Sequence, residues 1–154
     1  MPEFTVSNLN RFLAIKLPSA FLSGIRVKAI SATEARASVK HQWINQNPFK
    51  SLYWATQGMA AELVTGLLMM KKIKESGRKI SMLVVNQQGN FHKKATGRII
   101  FTCKDGHKID QSIEEAIKTG EGQNLVLKAS GVNEENIMVS DFEFTWSIKV
   151  KSSQ

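Results

Sequence analysis

The side chains best placed to do chemistry lie in one stretch, Asn47-Pro-Phe-Lys-Ser-Leu-Tyr-Trp-Ala-Thr-Gln-Gly-Met-Ala-Ala-Glu62. Glu62 is the only charged residue between positions 51 and 70. At the helical step of about 100° per residue, Ser51, Ala55, Gly58, Glu62, Thr65 and Gly66 fall on one side. The smallest residues therefore crowd around a single carboxylate, so something approaches that face closely. A desolvated glutamic acid there has a raised pKa unless it is hydrogen-bonded, and it can act as a general base or a nucleophile. The start of the same helix offers unsatisfied N–H groups and a positive dipole end, which suit an anion or a developing oxyanion. A second reading stands beside this one. Glu62 is equally a structural acid paired across an interface, and Asn47 before Pro48 is an ordinary turn and helix-entry residue.

Other chemistries find little support. His41, His92 and His107 lack metal-ligand spacing, so no metal site is expected. Cys103 stands alone at an alternating strand position and reads as a core thiol. No phosphate-cradling loop, dinucleotide fingerprint or nucleophile elbow is present. Cations gather in two places: Lys71, Lys72, Lys74, Arg78 and Lys79, then Lys93, Lys94 and Arg98 beside His92. The first group suits the C-terminal end of a helix dipole.

These residues need elements to hold them. A long helix from about Lys50 to Glu75, stopped by Gly77, carries apolar residues on nearly every side, which marks a core helix. Before it, Ile25, Val27 and Ala29 alternate with polar residues, as do Ala35, Ala37, Val39, His41 and Trp43; the two runs predict an antiparallel hairpin. After it, strands are expected over 80–87, about 90–95, 97–104, 123–131 and 138–150. In the last, Phe142, Phe144, Trp146, Ile148 and Val150 alternate cleanly. A short helix over 8–17 takes Ser7 as N-cap and ends at Pro18; another runs from Asp110 to Gly120. Strands that enclose one helix on most sides must curl around it. The edge and helix face left over then call for a second copy.

The 154 residues carry 21 Lys+Arg against 13 Asp+Glu, a net charge of +8, with 42% hydrophobic residues. This composition excludes disorder, collagen-like repeats and disulfide scaffolds. One domain over 1–154, with its core at about 20–150, is the expectation. The N-terminal stretch lacks a basic leader and apolar core, and the lone cysteine fits a reducing compartment, so a cytoplasmic protein is expected. Residues 51–70 have the length of a membrane span, but Glu62 inside it argues for a buried helix instead. Aromatics at core-facing strand positions, and no recognised binding module, argue against nucleic acid.

The stretch from Asn47 to Glu62, continuing Leu-Val-Thr-Gly66, resembles the hot-dog fold superfamily, and within it a bacterial thioesterase-like family. The resemblance covers roughly residues 20–150. It implies an α+β fold in which a curved antiparallel sheet wraps one long central helix, here with a short N-terminal helix and a short helix inserted between later strands. In those relatives an Asn opens the helix and a carboxylate sits about two and a half turns inside it, the spacing of Asn47 and Glu62. The resemblance implies a thioester substrate, a coenzyme A ester as substrate or ligand, no other cofactor, and a site at the interface of a homodimer or dimer of dimers.

In that frame Glu62 is the catalytic carboxylate and Asn47 orients the carbonyl or the water. Thr65 or Gln57 holds Glu62, while Tyr53 bonds the substrate or plugs the tunnel. Lys93, Lys94 and Arg98 are the expected coenzyme A phosphate ligands. This chain departs from the family at Tyr53, Trp54 and Ala55, where active relatives commonly carry His followed by small residues. The N–H of Trp54 remains, but its indole must point away to let a carbonyl reach it. Two functions follow: an acyl-CoA thioesterase, or a non-catalytic binder of acyl-CoA or another amphipathic acid.

Overall fold

The runs with a two-residue period pair into a single sheet. In the computed structural model, which describes residues 3–152, β1 (Arg26–Ile30) and β2 (Ala35–Lys40) form the expected hairpin. The first two and last two residues, which the readings of the leader and of the 1–154 span include, lie outside the described residues. β3 (Ile80–Phe91), β4 (Arg98–Cys103), β5 (Gln123–Val132) and β6 (Met138–Val150) complete six strands in the order β1-β2-β4-β5-β6-β3. Every neighbouring pair is antiparallel. Alternation puts Ala37, Ile99, Phe101, Leu127, Phe142 and Ile148 on one face, all buried. Onto that face packs α3 (Trp54–Glu75), touching β2, β4, β5 and β6. The sheet curves around the helix, as the resemblance implies.

The long helix begins four residues later than its periodicity predicts. Asn47 closes a turn first: its Oδ1 accepts from the N–H groups of Phe49 (2.9 Å) and Ser51 (3.2 Å), and its own N–H reaches the Ser51 carbonyl at 2.8 Å. Lys50 takes a left-handed φ of 60° to complete it, so no helix can start there. The predicted stop is correct, with Gly77 at φ 68° just beyond the helix.

β2 ends at Lys40, so Trp43 is not the strand residue that alternation suggests. The Asn45 side chain intervenes. It accepts from Gln42 N–H at 2.8 Å and donates to the carbonyls of Ser23 (2.9 Å) and Lys40 (2.8 Å). These bonds wind residues Trp43–Asn45 into a 3-10 turn and leave the Trp43 ring 84% exposed.

At the N-terminus, α1 (Val6–Lys16) is capped by Thr5, whose hydroxyl accepts from Asn8 N–H at 3.2 Å, rather than by Ser7. Pro18 opens a further short helix, α2 (Pro18–Leu22), where its missing N–H costs nothing. The Asn10 side chain clasps β1, donating to Val27 O at 3.1 Å and accepting from Val27 N–H at 2.9 Å.

The expected strands over 80–87 and 90–95 are one continuous strand, β3, with an irregularity between Val84 and Asn86. The inserted helix α4 (Gly106–Thr119) begins before Asp110. Gly106 lies too close to the Ala32 carbonyl for any Cβ, at 2.5 Å, which fixes the entry there. Asp110 instead meets the buried Lys72 of α3 at 2.9 Å, tying the two helices together. Gly120 ends α4 with φ 71°, as the sequence predicts.

Candidate functional site

The entry to α3 opens into a cavity of about 550 Å³, and six of the residues singled out from sequence line it: Asn47, Tyr53, Trp54, Gln57, Lys93 and Lys94. The helix starts with no side-chain cap. Tyr53 N–H is taken by the Asn45 carbonyl, while Thr56 and Gln57 N–H share the Tyr53 carbonyl. The N–H groups of Trp54 and Ala55 meet no acceptor among the described residues. They are the unsatisfied donors that an anion or oxyanion would take.

Each lining side chain has a definite position. The Asn47 carboxamide is engaged locally: besides the turn bonds, its Nδ2 donates to Ser51 Oγ at 2.9 Å and to Leu52 O at 3.3 Å. It therefore shapes the mouth of the cavity. Gln57 is buried, with Nε2 donating weakly to Leu52 O at 3.4 Å and Oε1 unpartnered. Tyr53 and Trp54 stand edge to face, ring centres 6.0 Å apart, both about half exposed. Phe49 and Phe91 add two more exposed rings, so the aromatics around this cavity stand apart from those that face the core from the strands. Lys94 Nζ donates to the Phe49 carbonyl at 3.1 Å, while the Lys93 ammonium has no partner among the described residues. Arg98 lies apart from this cavity. Its guanidinium meets Ser38 Oγ at 3.3 Å and its N–H donates to the Glu134 carboxylate at 2.8 Å.

Glu62 lines a different cavity, about 240 Å³, whose other wall runs from Lys16 through Leu17, Pro18 and Ser19 to Ala20, opposite Met59 and Leu63. It is partly buried, and no hydrogen bond or ion pair reaches its carboxylate among the described residues. Burial raises its pKa. Gly58 and Gly66 lie one turn to either side, and a Cβ on Gly66 would stand 3.6 Å from Glu62 Oε1. Neither Gln57 nor Thr65 holds the carboxylate. Gln57 faces the first cavity, and Thr65 Oγ1 donates to the main-chain carbonyl of Glu62 at 2.8 Å. Asn47 and Glu62 are thus not brought together within one chain. Eight residues separate Trp54 from Glu62, about 12 Å along the helix axis.

Sequence reasoning missed two features. Asn90 (3.1 Å) and His92 both hydrogen-bond Asp141 beside the first cavity. Burial alone lifts an acid, but these bonds, with the charges of His92 and Lys128, hold Asp141 below the usual carboxylate range. The pairing of Asn90 with Asp141 across β3 and β6 depends on strand register, which a single sequence does not print. The second is the cavity at the α1–α2 corner, a product of tertiary docking with no local signal. Cys103 is fully buried, as read, and burial pushes its thiol up to about 12.

Comparison with known proteins agrees with this architecture, the hot-dog fold. A Pseudomonas aeruginosa protein of unknown function, described as a probable thioesterase, superposes with a TM-score of 0.83 at 22% identity, over 98% of this chain and 97% of that one. A protein of unknown function from Chlorobaculum tepidum gives 0.81 at 15% identity, over 95% and 94%. A thioesterase from Haemophilus influenzae gives 0.72 at 17% identity, over 97% and 93%. At these identities the likeness is one of fold. No curated protein matches the sequence. The family model described as a domain of unknown function, DUF4442, matches residues 7–148, and the chain belongs to that family.

Proposed function

We propose that the protein is a thioesterase acting on acyl-coenzyme A esters as a homodimer, with Glu62 as its catalytic carboxylate. The observation that carries this reading is the Glu62 carboxylate itself: without a partner among the described residues, partly buried and set between two glycines on the helix whose uncapped entry opens into a cavity. The thioesterase descriptions of the Pseudomonas and Haemophilus proteins with the same fold support it.

The separation of about 12 Å between helix entry and Glu62 shapes the mechanism. A reacting carbon needs its oxyanion donors and its base each within about 3 Å, so one chain cannot supply both. β3 is the longer of the sheet's two edge strands, held by β6 alone, and its Leu83 side chain is 66% exposed. A twelve-residue edge with exposed Leu83 and Val85 is a surface that a second copy covers. Two-fold pairing there sets the α3 entry of one protomer toward Glu62 of the partner subunit.

The N–H groups of Trp54 and Ala55 then receive the thioester oxygen, and Lys93 and Lys94 attract the phosphates at the cavity rim. Glu62 of the partner subunit takes a proton from water as its oxygen attacks the carbonyl carbon. The tetrahedral intermediate collapses, the C–S bond breaks, and the proton passes from Glu62 to the leaving thiolate. A raised pKa helps Glu62 hold that proton between the two steps.

Release of free thiol from a panel of acyl-CoA esters tests the reading, with Glu62→Gln as control. Turnover that Glu62→Gln abolishes supports it; no turnover across the panel, or full activity in Glu62→Gln, overturns it. The exposed Tyr53 and Trp54 rings at the helix entry favour one alternative, a non-catalytic binder of the same esters. Thermal stabilisation by acyl-CoA without hydrolysis is its signature.

A further inference from the structure

The corner between α1 and α2 forms a rigid wall. Leu17 N–H closes α1 on the Leu13 carbonyl at 2.9 Å, and the Leu17 carbonyl accepts from Phe21 N–H at 3.1 Å to open α2. Pro18 locks the turn between them, and the Asn10 clasp fastens α1 to β1. Opposite stand Met59 and Leu63 of α3, and Glu62 lies on the same stretch of wall. The space between is about 240 Å³. That is below the roughly 300–1,000 Å³ of a cavity enclosing a whole drug-sized ligand, so it fits one arm of a larger molecule. Taking about 30 Å³ per water-sized group, it holds a chain of roughly eight such groups.

We propose that this cavity is the acyl-chain subsite, taking a straight, apolar chain of medium length whose polar end stops at Glu62. Leu17, Pro18, Ala20, Met59 and Leu63 offer the chain carbon and sulfur side-chain atoms, Lys16 and Ser19 stand at the exposed rim, and Met59 adapts its shape to a flexible guest. Glu62, the carboxylate on this wall, has no protein partner among the described residues, which marks where the apolar part of the guest ends and its polar part begins. The subsite rests on the thioesterase reading only for the nature of that polar part.

Two ligand series separate the claims: S-alkyl-coenzyme A thioethers from propyl to dodecyl, and fatty acids of matching length, each titrated calorimetrically. With wild-type protein, affinity rises by up to about fourfold per methylene and levels off once the cavity is full. Met59→Trp and Leu17→Trp narrow it from opposite walls, and either serves if the other fails to fold. In both variants the plateau moves to shorter chains and affinity for the longest falls at least tenfold, with the propyl compound unaffected. A chain-length profile identical in wild type and variants overturns the subsite, even if the coenzyme A compounds bind and the thioesterase reading stands. A variant-sensitive profile seen with fatty acids alone supports the subsite and overturns the coenzyme A reading. Absence of binding in both series overturns both.

Discussion

Trp146 of β6 donates its indole N–H to the hydroxyl of Thr65 on α3 at 3.0 Å, and both residues are buried. The same hydroxyl donates its own hydrogen bond to the Glu62 main-chain carbonyl at 2.8 Å. A bond from sheet to helix therefore ends on the main chain of the candidate catalytic residue, fixing how α3 is rotated over β6. Thr65→Val keeps the shape and deletes the oxygen, leaving the indole N–H buried without an acceptor. It is expected to cost about 1–3 kcal/mol in urea unfolding, whereas Thr65→Ser retains most of the stability.

The pH dependence of Glu62 has a definite sign. Its pKa is higher in the folded chain than in the unfolded one, so the folded state holds the proton more tightly. The penalty for ionising it is absent at acid pH and grows as pH rises from the ordinary carboxylate range through the folded pKa. Glu62→Gln removes that penalty. Its urea midpoint is expected to exceed the wild-type value at neutral pH and to converge with it in acid, while thioester hydrolysis falls by about a hundredfold or more.

Gly131 of β5 faces the fully buried ring of Phe101, and a Cβ there would lie 2.6 Å from Cε1 and 2.8 Å from Cζ. The ring occupies the place of the missing side chain. Gly131→Ala forces the ring into a packed core and is expected to destabilise by about 1–3 kcal/mol, read as a lower urea midpoint. Phe101→Leu in the same chain should recover part of that loss.

Lys72 is buried on α3 and its ammonium meets Asp110 at 2.9 Å. Asp110→Ala leaves that charge buried without its carboxylate, with an expected loss of about 1–3 kcal/mol. Lys72→Met combined with Asp110→Ala replaces the pair by apolar contact and should restore stability close to wild type. Urea unfolding of the three variants is the measurement.

Cys103 is fully buried with its thiol pushed up to about 12. It is expected to resist a thiol-specific reagent in native protein at neutral pH and to react stoichiometrically in denaturant. Rapid modification of the folded protein would contradict the packing of β4 against β2.

The elements legible in the sequence are those whose own periodicity meets no competing interaction. Phe142, Phe144, Trp146 and Ile148 alternate and are all buried on β6, and the apolar circumference of α3 is that of a helix in a sheet. Boundaries shift where a side chain competes for the backbone. Asn47 delays α3, Asn45 ends β2 and Thr5 caps α1, each through a carboxamide or hydroxyl whose partners no periodicity encodes. The site is legible in half. The resemblance carried by residues 47–62 points to the helix-entry cluster from Asn47 to Gln57 and to Lys93 and Lys94, and all of these line one cavity. The separation of Glu62 from Asn47, the removal of Arg98 to Ser38 and the wall built by Leu17 and Pro18 arise from tertiary docking.

The Asn10 clasp has a mechanical consequence. Because α1 is bonded to β1 through Val27, one wall of the narrower cavity travels with the outer edge of the sheet, while the other belongs to α3 in the middle of its face. The gap between them is a measure of sheet curl. Flattening the sheet widens it and tightening the curl narrows it, so a substitution far out on β1 or β2 becomes a change of bore at Met59.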